Sequence, residues 1–339
     1  MKTRFFSIIA VIFLCFSLSG CLGSSVNLNQ PLSETQVDAV AQKLLKASVR
    51  TVMITYYEPD IKPGNEQDGL ISLYVGSGYI YGAEHWLFTV NHVINGSKSK
   101  IIYLAQKTPD GFFVDNVEWK FKKSRYFLAR NCADANSVKE SIENYLKKAM
   151  HASTNFFGIT AGGPVPLNCF NEADFDNFVL EPGENPGSVF EFYVTPDTYR
   201  GDEKADSACV RLAHLDGKLD YVNMSDHAVG EKLRLGQTVY VWGAPYVFIE
   251  QLYKGVIANS NIKTLKVFED RFDMNNFALA DAPLAPGSSG SMLFYINDRG
   301  EGKIIGLASF VFPPPPFSCG NAFVRIDPFL QSLGFLKKP

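Results

Sequence analysis

The chain has 339 residues, 46% hydrophobic and 13% aromatic, with 32 Lys and Arg against 35 Asp and Glu for a formal charge of −3. That length holds one large or two modest domains with ample apolar material for a core. The near-neutral balance, with no basic tract, argues against nucleic acid as a partner, and 27 Gly, 18 Pro, 27 Phe and 15 Tyr suit many short strands joined by turns better than a helical bundle.

Residues 1–20 read as a targeting segment. Lys2 and Arg4 give a basic start, and Phe5 to Leu18 is an apolar run too short to span a bilayer comfortably as a mature helix. The run ends in Leu18, Ser19, Gly20 and Cys21. This resembles a bacterial lipoprotein lipobox, which implies cleavage before Cys21, acylation of its thiol and attachment to a membrane through lipid. In a cell with two membranes, Leu22 resembles the outer-membrane sorting pattern. The alternative is a plain secretory signal with Cys21 incidental. Residues 21–31 would be a tether, and 32–339 the folded domain. Export places Cys132, Cys169, Cys209 and Cys319 in an oxidising compartment, where disulfides form. Cys132 with Cys169 is the favoured pairing because both fall in one irregular segment. Cys209 and Cys319 either pair or stay as buried thiols.

Ser33 and Gln36 form a capping-box pattern ahead of Val37, Val40, Ala41, Leu44 and Leu45, which predicts an amphipathic helix. Val49 to Tyr57 is β-branched and aromatic and reads as a strand. Leu70 to Val75 and Tyr79 to Tyr81 read as two strands separated by Gly76, Ser77 and Gly78. Trp86 to Val90 is another apolar run, followed by Asn91 and His92 just before Asn95 and Gly96 turn the chain. A lone histidine is more often structural than catalytic, so His92 needs its context to count. Lys100 to Ala105 and Phe112 to Phe121 look like strands joined at Pro109, Asp110 and Gly111.

Ser137 and Glu140 form a second capping box, and roughly Ser137 to Met150 reads as an amphipathic helix. About 124–188 therefore reads as an insertion: a flap, a docking surface for a partner, or a packing elaboration. Strand character returns at Val189 to Val194. Asp206 then opens the short apolar run Ser207 to Leu212, where a carboxylate can be buried enough to orient an imidazole. Asp176, ahead of Phe178, Val179 and Leu180, is a rival. Strands are expected at Val239 to Trp242 and Lys254 to Ile257.

Asp281 to Leu293 is the most informative stretch. Pro286 fixes its own φ, and Gly287 and Gly290 bracket Ser289. Such a loop can expose a serine hydroxyl beside backbone N–H groups, the layout of an oxyanion hole. A Ser/Gly-rich turn between strands is the plain alternative. Ile304 to Phe312 and Ala322 to Ile326 read as strands, with a polyproline stretch at Pro313 to Pro316 between them and a helix from Asp327 to Leu333 after them.

His92, Asp206 and Ser289 stand in the chain order of the chymotrypsin clan. Gly76-Ser77-Gly78 ahead of Thr89-Val90-Asn91-His92-Val93 resembles the first half of its barrel. Leu235-Gly236-Gln237-Thr238-Val239 ahead of Gly243-Ala244-Pro245 resembles the run after the family's aspartate. Asp281 to Ser291 is similar to the nucleophile loop of the high-temperature-requirement branch of bacterial serine proteases, with Ser288 for Asn, and Ser291 and Met292 for Gly and Pro. The separation of 114 residues between His92 and Asp206 (206 − 92) exceeds the family's usual spacing. The resemblance covers about Leu70 to Leu333, minus the insertion, and leaves no room for a PDZ domain.

The resemblance implies an all-β, two-barrel chymotrypsin-like fold, with the second barrel at about 225–335 and short terminal helices. It implies a serine endopeptidase acting on proteins or peptides. Ser289 would be the nucleophile, His92 the general base and Asp206 its orienting carboxylate, with the N–H groups of Gly287 and Ser289 as oxyanion donors. Pro283, Ala308, Ser309 and Phe310 would border the pocket for the residue before the scissile bond, favouring a small or medium apolar side chain. No metal or cofactor is expected: the histidines are scattered, no Cys-x-x-Cys occurs and no phosphate-cradling loop appears. A catalytically idle, protease-like lipoprotein that binds a partner through the insertion is the alternative, with an esterase-like hydrolase a further one.

Overall fold

Strands dominate the chain, and they divide into a broad sheet and a closed barrel. The computed structural model describes residues 34–60, 68–96, 99–180, 188–212, 219–243, 250–260, 262, 272–311 and 320–337. The signal, tether, Cys21, the polyproline stretch and Cys319 lie outside them.

Helix α1 (Glu34–Leu45) lays its apolar stripe on the core through Ala41 and Leu44. The long antiparallel strands β1 (Ser48–Pro59), β2 (Leu70–Tyr81) and β3 (Trp86–Thr89) follow. The two strands expected around Gly76-Ser77-Gly78 are one. Both glycines serve close packing: a Cβ at Gly76 would strike Val93, and one at Gly78 would strike Leu87 and the Phe88 carbonyl. After the short helix α2 (Asn91–Asn95) come β4 (Ser99–Thr108) and β5 (Gly111–Ala129), a long hairpin.

Ser124 to Ala129, expected to open the insertion, completes β5 and pairs with β1 over Arg50 to Thr55. Helix α3 (Cys132–Ala149) starts five residues before the expected Ser137 because the Asn131 side chain accepts the Asp134 N–H and caps it. The hairpin β6 (His151–Thr160) and β7 (Gly163–Cys169) then extends the sheet to its edge, where Pro164 and Pro166 are tolerated. After α4 (Glu172–Asp176), strands β8 (Val189–Phe192), β9 (Tyr199–Asp202) and β10 (Ser207–Arg211) complete the sheet. Its order is β7-β6-β4-β5-β1-β2-β3-β10-β9, with β8 on β5.

The expected Cys132–Cys169 disulfide is absent: both are buried free thiols. Cys132 packs with Val52, Phe127 and α3, whereas Cys169 packs with Trp119 and Phe156 in a separate cluster. Nearness along an irregular segment did not translate into nearness in space. Cys209 is also a free thiol.

The second half closes a six-stranded barrel, β11-β12-β13-β16-β15-β14. Its strands are β11 (Thr238–Gly243), β12 (Gln251–Asn259), β13 (Phe277–Ala280), β14 (Met292–Ile296), β15 (Gly302–Val311) and β16 (Asn321–Arg325). Closure leaves no unpaired edge. Helix α5 (Ile326–Ser332) returns to the sheet and wedges Phe329 against Phe88. One apolar cluster runs through both halves, from Tyr79, Phe88 and Val93 to Met292, Leu307 and Val324. The site lies at this junction. Among the described residues, no helix is long and apolar enough to cross a membrane.

Candidate active site

His92 is the second residue of the short helix α2, which follows β3. A polar ring holds this helix. Tyr199 donates its hydroxyl to Asn91 Oδ1 at 2.5 Å, and Asn95 Nδ2 donates to Asn91 Oδ1 at 2.8 Å and to Tyr199 Oη at 2.7 Å. Gly201 lies against the ring, where a Cβ would collide with Tyr199.

Asp206 stands just before β10 and is 1% exposed. Its φ of +46° is left-handed, a conformation that costs a non-glycine residue roughly 1–2 kcal/mol. Hydrogen bonds offset that strain. The His92 backbone N–H donates to Oδ1 at 3.1 Å, and Ser309 Oγ donates to Oδ2. The His92 ring closes the arrangement, its Nδ1 2.9 Å from Oδ2. A carboxylate facing Nδ1 keeps the proton on that nitrogen, which leaves Nε2 as the acceptor. The His92 side chain is one-third exposed.

Ser289 sits on a loop of tight turns. Ser288 N–H bonds the Ala285 carbonyl and Ser291 N–H the Ser288 carbonyl, both at 2.9 Å. Gly287 and Gly290 take φ values of +95° and +88°, which these turns require. Gly290 also presses on β2, where a Cβ would collide with the Ser77 carbonyl. The Gly290 N–H is spent on the Ala308 carbonyl at 2.8 Å. The Gly287 and Ser289 N–H groups have no hydrogen-bond partner among the described residues. The Ser289 hydroxyl donates to the Ser309 carbonyl at 3.2 Å and is not bonded to His92. The hydroxyls of Ser288 and Ser291 are buried without a partner.

A cavity of about 350 Å³ opens beside Ser289, lined by His92, Phe272, Leu284, Ala285, Pro286, Ser288, Ser289, Ala308, Ser309 and Phe310. Three of the four expected pocket residues lie in its wall. Pro283 does not: it is exposed on the loop, and Leu284 and Ala285 take its place. Phe272 escaped sequence analysis, because no strand or motif marks it. It stacks on Phe310 with ring centroids 5.1 Å apart. Apart from His92, the wall holds no ionisable side chain among the described residues.

Asp176 is elsewhere. It ends helix α4 rather than opening a strand, and Lys123 Nζ binds its carboxylate at 2.6 Å. Among the described residues, no group of three or more His, Cys, Asp and Glu side chains is arranged to hold a metal ion.

No family model matches the chain. A probable periplasmic serine endoprotease, DegP-like, of Pseudomonas putida (strain W619) is 28% identical over 184 residues. The match takes in 54% of this chain and 34% of the relative, so the chain spans about a third of that protein's length. Among solved structures, the serine endoprotease from Yersinia pestis superposes with a TM-score of 0.39 and 14% identity, over 88% of this chain and 64% of that one. The HtrA-type protease AlgW with a decapeptide gives a TM-score of 0.46 and 14% identity, over 87% and 64%. The chain is thus similar in sequence to a DegP-like serine endoprotease over about half its length, and its own fold is mostly β, a broad antiparallel sheet beside a closed six-stranded barrel.

Proposed function

We propose that this chain is a serine endopeptidase working through His92, Asp206 and Ser289. The observation that carries this reading is the 2.9 Å contact of His92 Nδ1 with a buried carboxylate, beside a serine loop with two uncommitted N–H groups. Ser289 turns from the Ser309 carbonyl to His92 Nε2, loses its proton there and attacks a peptide carbonyl. The Gly287 and Ser289 N–H groups receive the oxyanion. His92 returns the proton to the leaving amine, and water then releases the acyl group by the same route. Asp206 holds the imidazole tautomer and stabilises imidazolium. An uncharged, aromatic-backed pocket favours an apolar residue before the cut, since Lys or Arg would bury an unpaired charge.

The leader reading and the periplasmic description of the relative together support export, with lipid at Cys21 as the anchor. The test is a fluorophosphonate probe on the form starting after Cys21. Labelling of wild type that vanishes in Ser289→Ala and His92→Ala is expected, and a well-folded wild type that does not label would sink the proposal.

One observation favours the second reading, an idle protease-like binding protein. Ser289 is bonded to Ser309 rather than to His92, while the neighbouring hairpins β4–β5 and β6–β7 expose Phe112, Phe113 and Ile159. In that case Ser289→Ala would leave partner binding at this face intact.

A further inference from the structure

The Arg50 side chain, in β1, is fully buried. A guanidinium out of water needs hydrogen bonds and a counter-charge. Its Nη1 donates to Ser48 Oγ and the Val49 carbonyl at 3.1 Å and to Ser77 Oγ at 3.3 Å. Its Nη2 lies 3.2 Å from Glu250, which immediately precedes β12 of the barrel. The Cys132 thiol at the start of α3 is close enough to both partners of this pair to sense their charges. An ion pair between a buried guanidinium and a half-buried carboxylate therefore links sheet and barrel.

The pair ends on the nucleophile loop. Ser77 is the cross-strand partner of Arg50 in the β1–β2 register. Its backbone N–H donates to the Ser289 carbonyl at 2.7 Å, and its hydroxyl donates to the Gly287 carbonyl at 2.8 Å. A serine hydroxyl has a single proton, and a guanidinium can only donate. With Arg50 behind it, Ser77 must send that proton toward Gly287. The carbonyls on either side of Ser288 are thus pinned to β2. Ser288, whose own hydroxyl has no partner, cannot hold the loop through its side chain.

The geometry points to Glu250, Arg50 and Ser77 as a positioning relay that keeps the oxyanion loop in its working shape. Glu250 neutralises Arg50, Arg50 aims the Ser77 hydroxyl, and Ser77 fixes Gly287 so that the Gly287 and Ser289 N–H groups stay free. None of the three touches the substrate pocket. The role rests on the peptidase reading above, and two separate readouts keep the two distinguishable.

The experiment compares wild type, Ser77→Ala, Glu250→Gln and the double variant Arg50→Met with Glu250→Met. Ser77→Ala is the mild change, because the Ser77 N–H bond to Ser289 survives it. Hydrogen exchange of the 285–291 segment needs no activity. It should quicken about tenfold in both single variants, since each frees a loop carbonyl. On a peptide substrate, kcat should fall about tenfold or more with KM within about twofold, the signature of lost transition-state stabilisation. The double variant should regain thermal stability, because it removes the buried Arg50 charge together with its partner, yet not regain kcat. Unchanged loop exchange in the single variants would overturn the relay, as would recovery of kcat along with stability in the double variant. A wild type that never labels defeats the peptidase reading instead, and loop exchange still decides the relay.

Discussion

Ser289 gives its hydroxyl proton to the carbonyl of Ser309 at 3.2 Å, while the hydroxyl of Ser309 goes to Asp206. One residue thus steadies the carboxylate and holds the proposed nucleophile. In the proposed mechanism the Ser289 side chain leaves that carbonyl and turns toward His92. Ser309→Ala keeps the parking carbonyl and removes the bond to Asp206. A hydrogen bond to a charged group is worth about 1.5–3 kcal/mol, so kcat should fall about 10- to 100-fold. Steady-state kinetics on one peptide would check this, and an unchanged kcat would remove Ser309 from the mechanism.

The two aspartates separate cleanly. Asp206→Asn keeps the shape but favours the wrong imidazole tautomer, and kcat should drop about 10⁴-fold. Asp176→Asn loses an exposed ion pair with Lys123, worth about 0–1 kcal/mol, and should leave kcat unchanged. Equal losses from both substitutions would contradict the orienting role given to Asp206.

Pocket shape should set preference. Phe310 is backed by Phe272 and tilted against Phe277, so Phe310→Ala deepens the cavity. Specificity for Phe over Val before the cut should rise about 10- to 100-fold. Profiling a peptide library with both proteins measures the ratio, and an unmoved ratio would place the specificity pocket elsewhere.

The outline of the candidate site was legible because its three residues stand at element ends: His92 ahead of Asn95 and Gly96, Asp206 opening an apolar run, and Ser289 between Gly287 and Gly290. What the sequence hid was decided by tertiary contact. Gly76 and Gly78 read as a break, yet close packing kept β2 continuous. The insertion expected over about 124–188 hides a hairpin whose Pro164 and Pro166 sit on an edge strand, which needs only one row of N–H donors and accommodates both. Phe272 reaches the pocket from a position with no periodic pattern. Arg50 was read only as part of the strand Val49 to Tyr57, and its partner Glu250 lies 200 residues away in sequence (250 − 50).

The thiols offer a separate check. Burial pushes Cys169 and Cys209 up to about 12, so neither is thiolate at pH 8. The native protein should resist alkylation at Cys132, Cys169 and Cys209. Unfolded in urea without reductant, all three should take up iodoacetamide. A bridged Cys132–Cys169 peptide in the mass spectrum would contradict the free thiols seen here.

Stability should depend on pH through His227, which is 5% exposed. Its Nδ1 lies 2.9 Å from the Asn223 carbonyl, which can only accept, so Nδ1 carries the proton. Nε2 then accepts from the Tyr79 hydroxyl at 3.0 Å. Tyr81 packs edge-on to the ring, and Asp226 is the adjacent acid. Burial pushes His227 down from 6.5 to about 4. The unfolded chain therefore takes up a proton near pH 6.5, whereas the folded one does so only near pH 4. The contribution is complete above pH 6.5 and is lost as pH falls from there to 4, amounting to about 3 kcal/mol. Urea unfolding at pH 7 and pH 4.5 measures it. His227→Gln removes the titration, so the gap between the two pH values should narrow by about 2 kcal/mol. The same gap in the variant would mean that other groups drive the acid sensitivity.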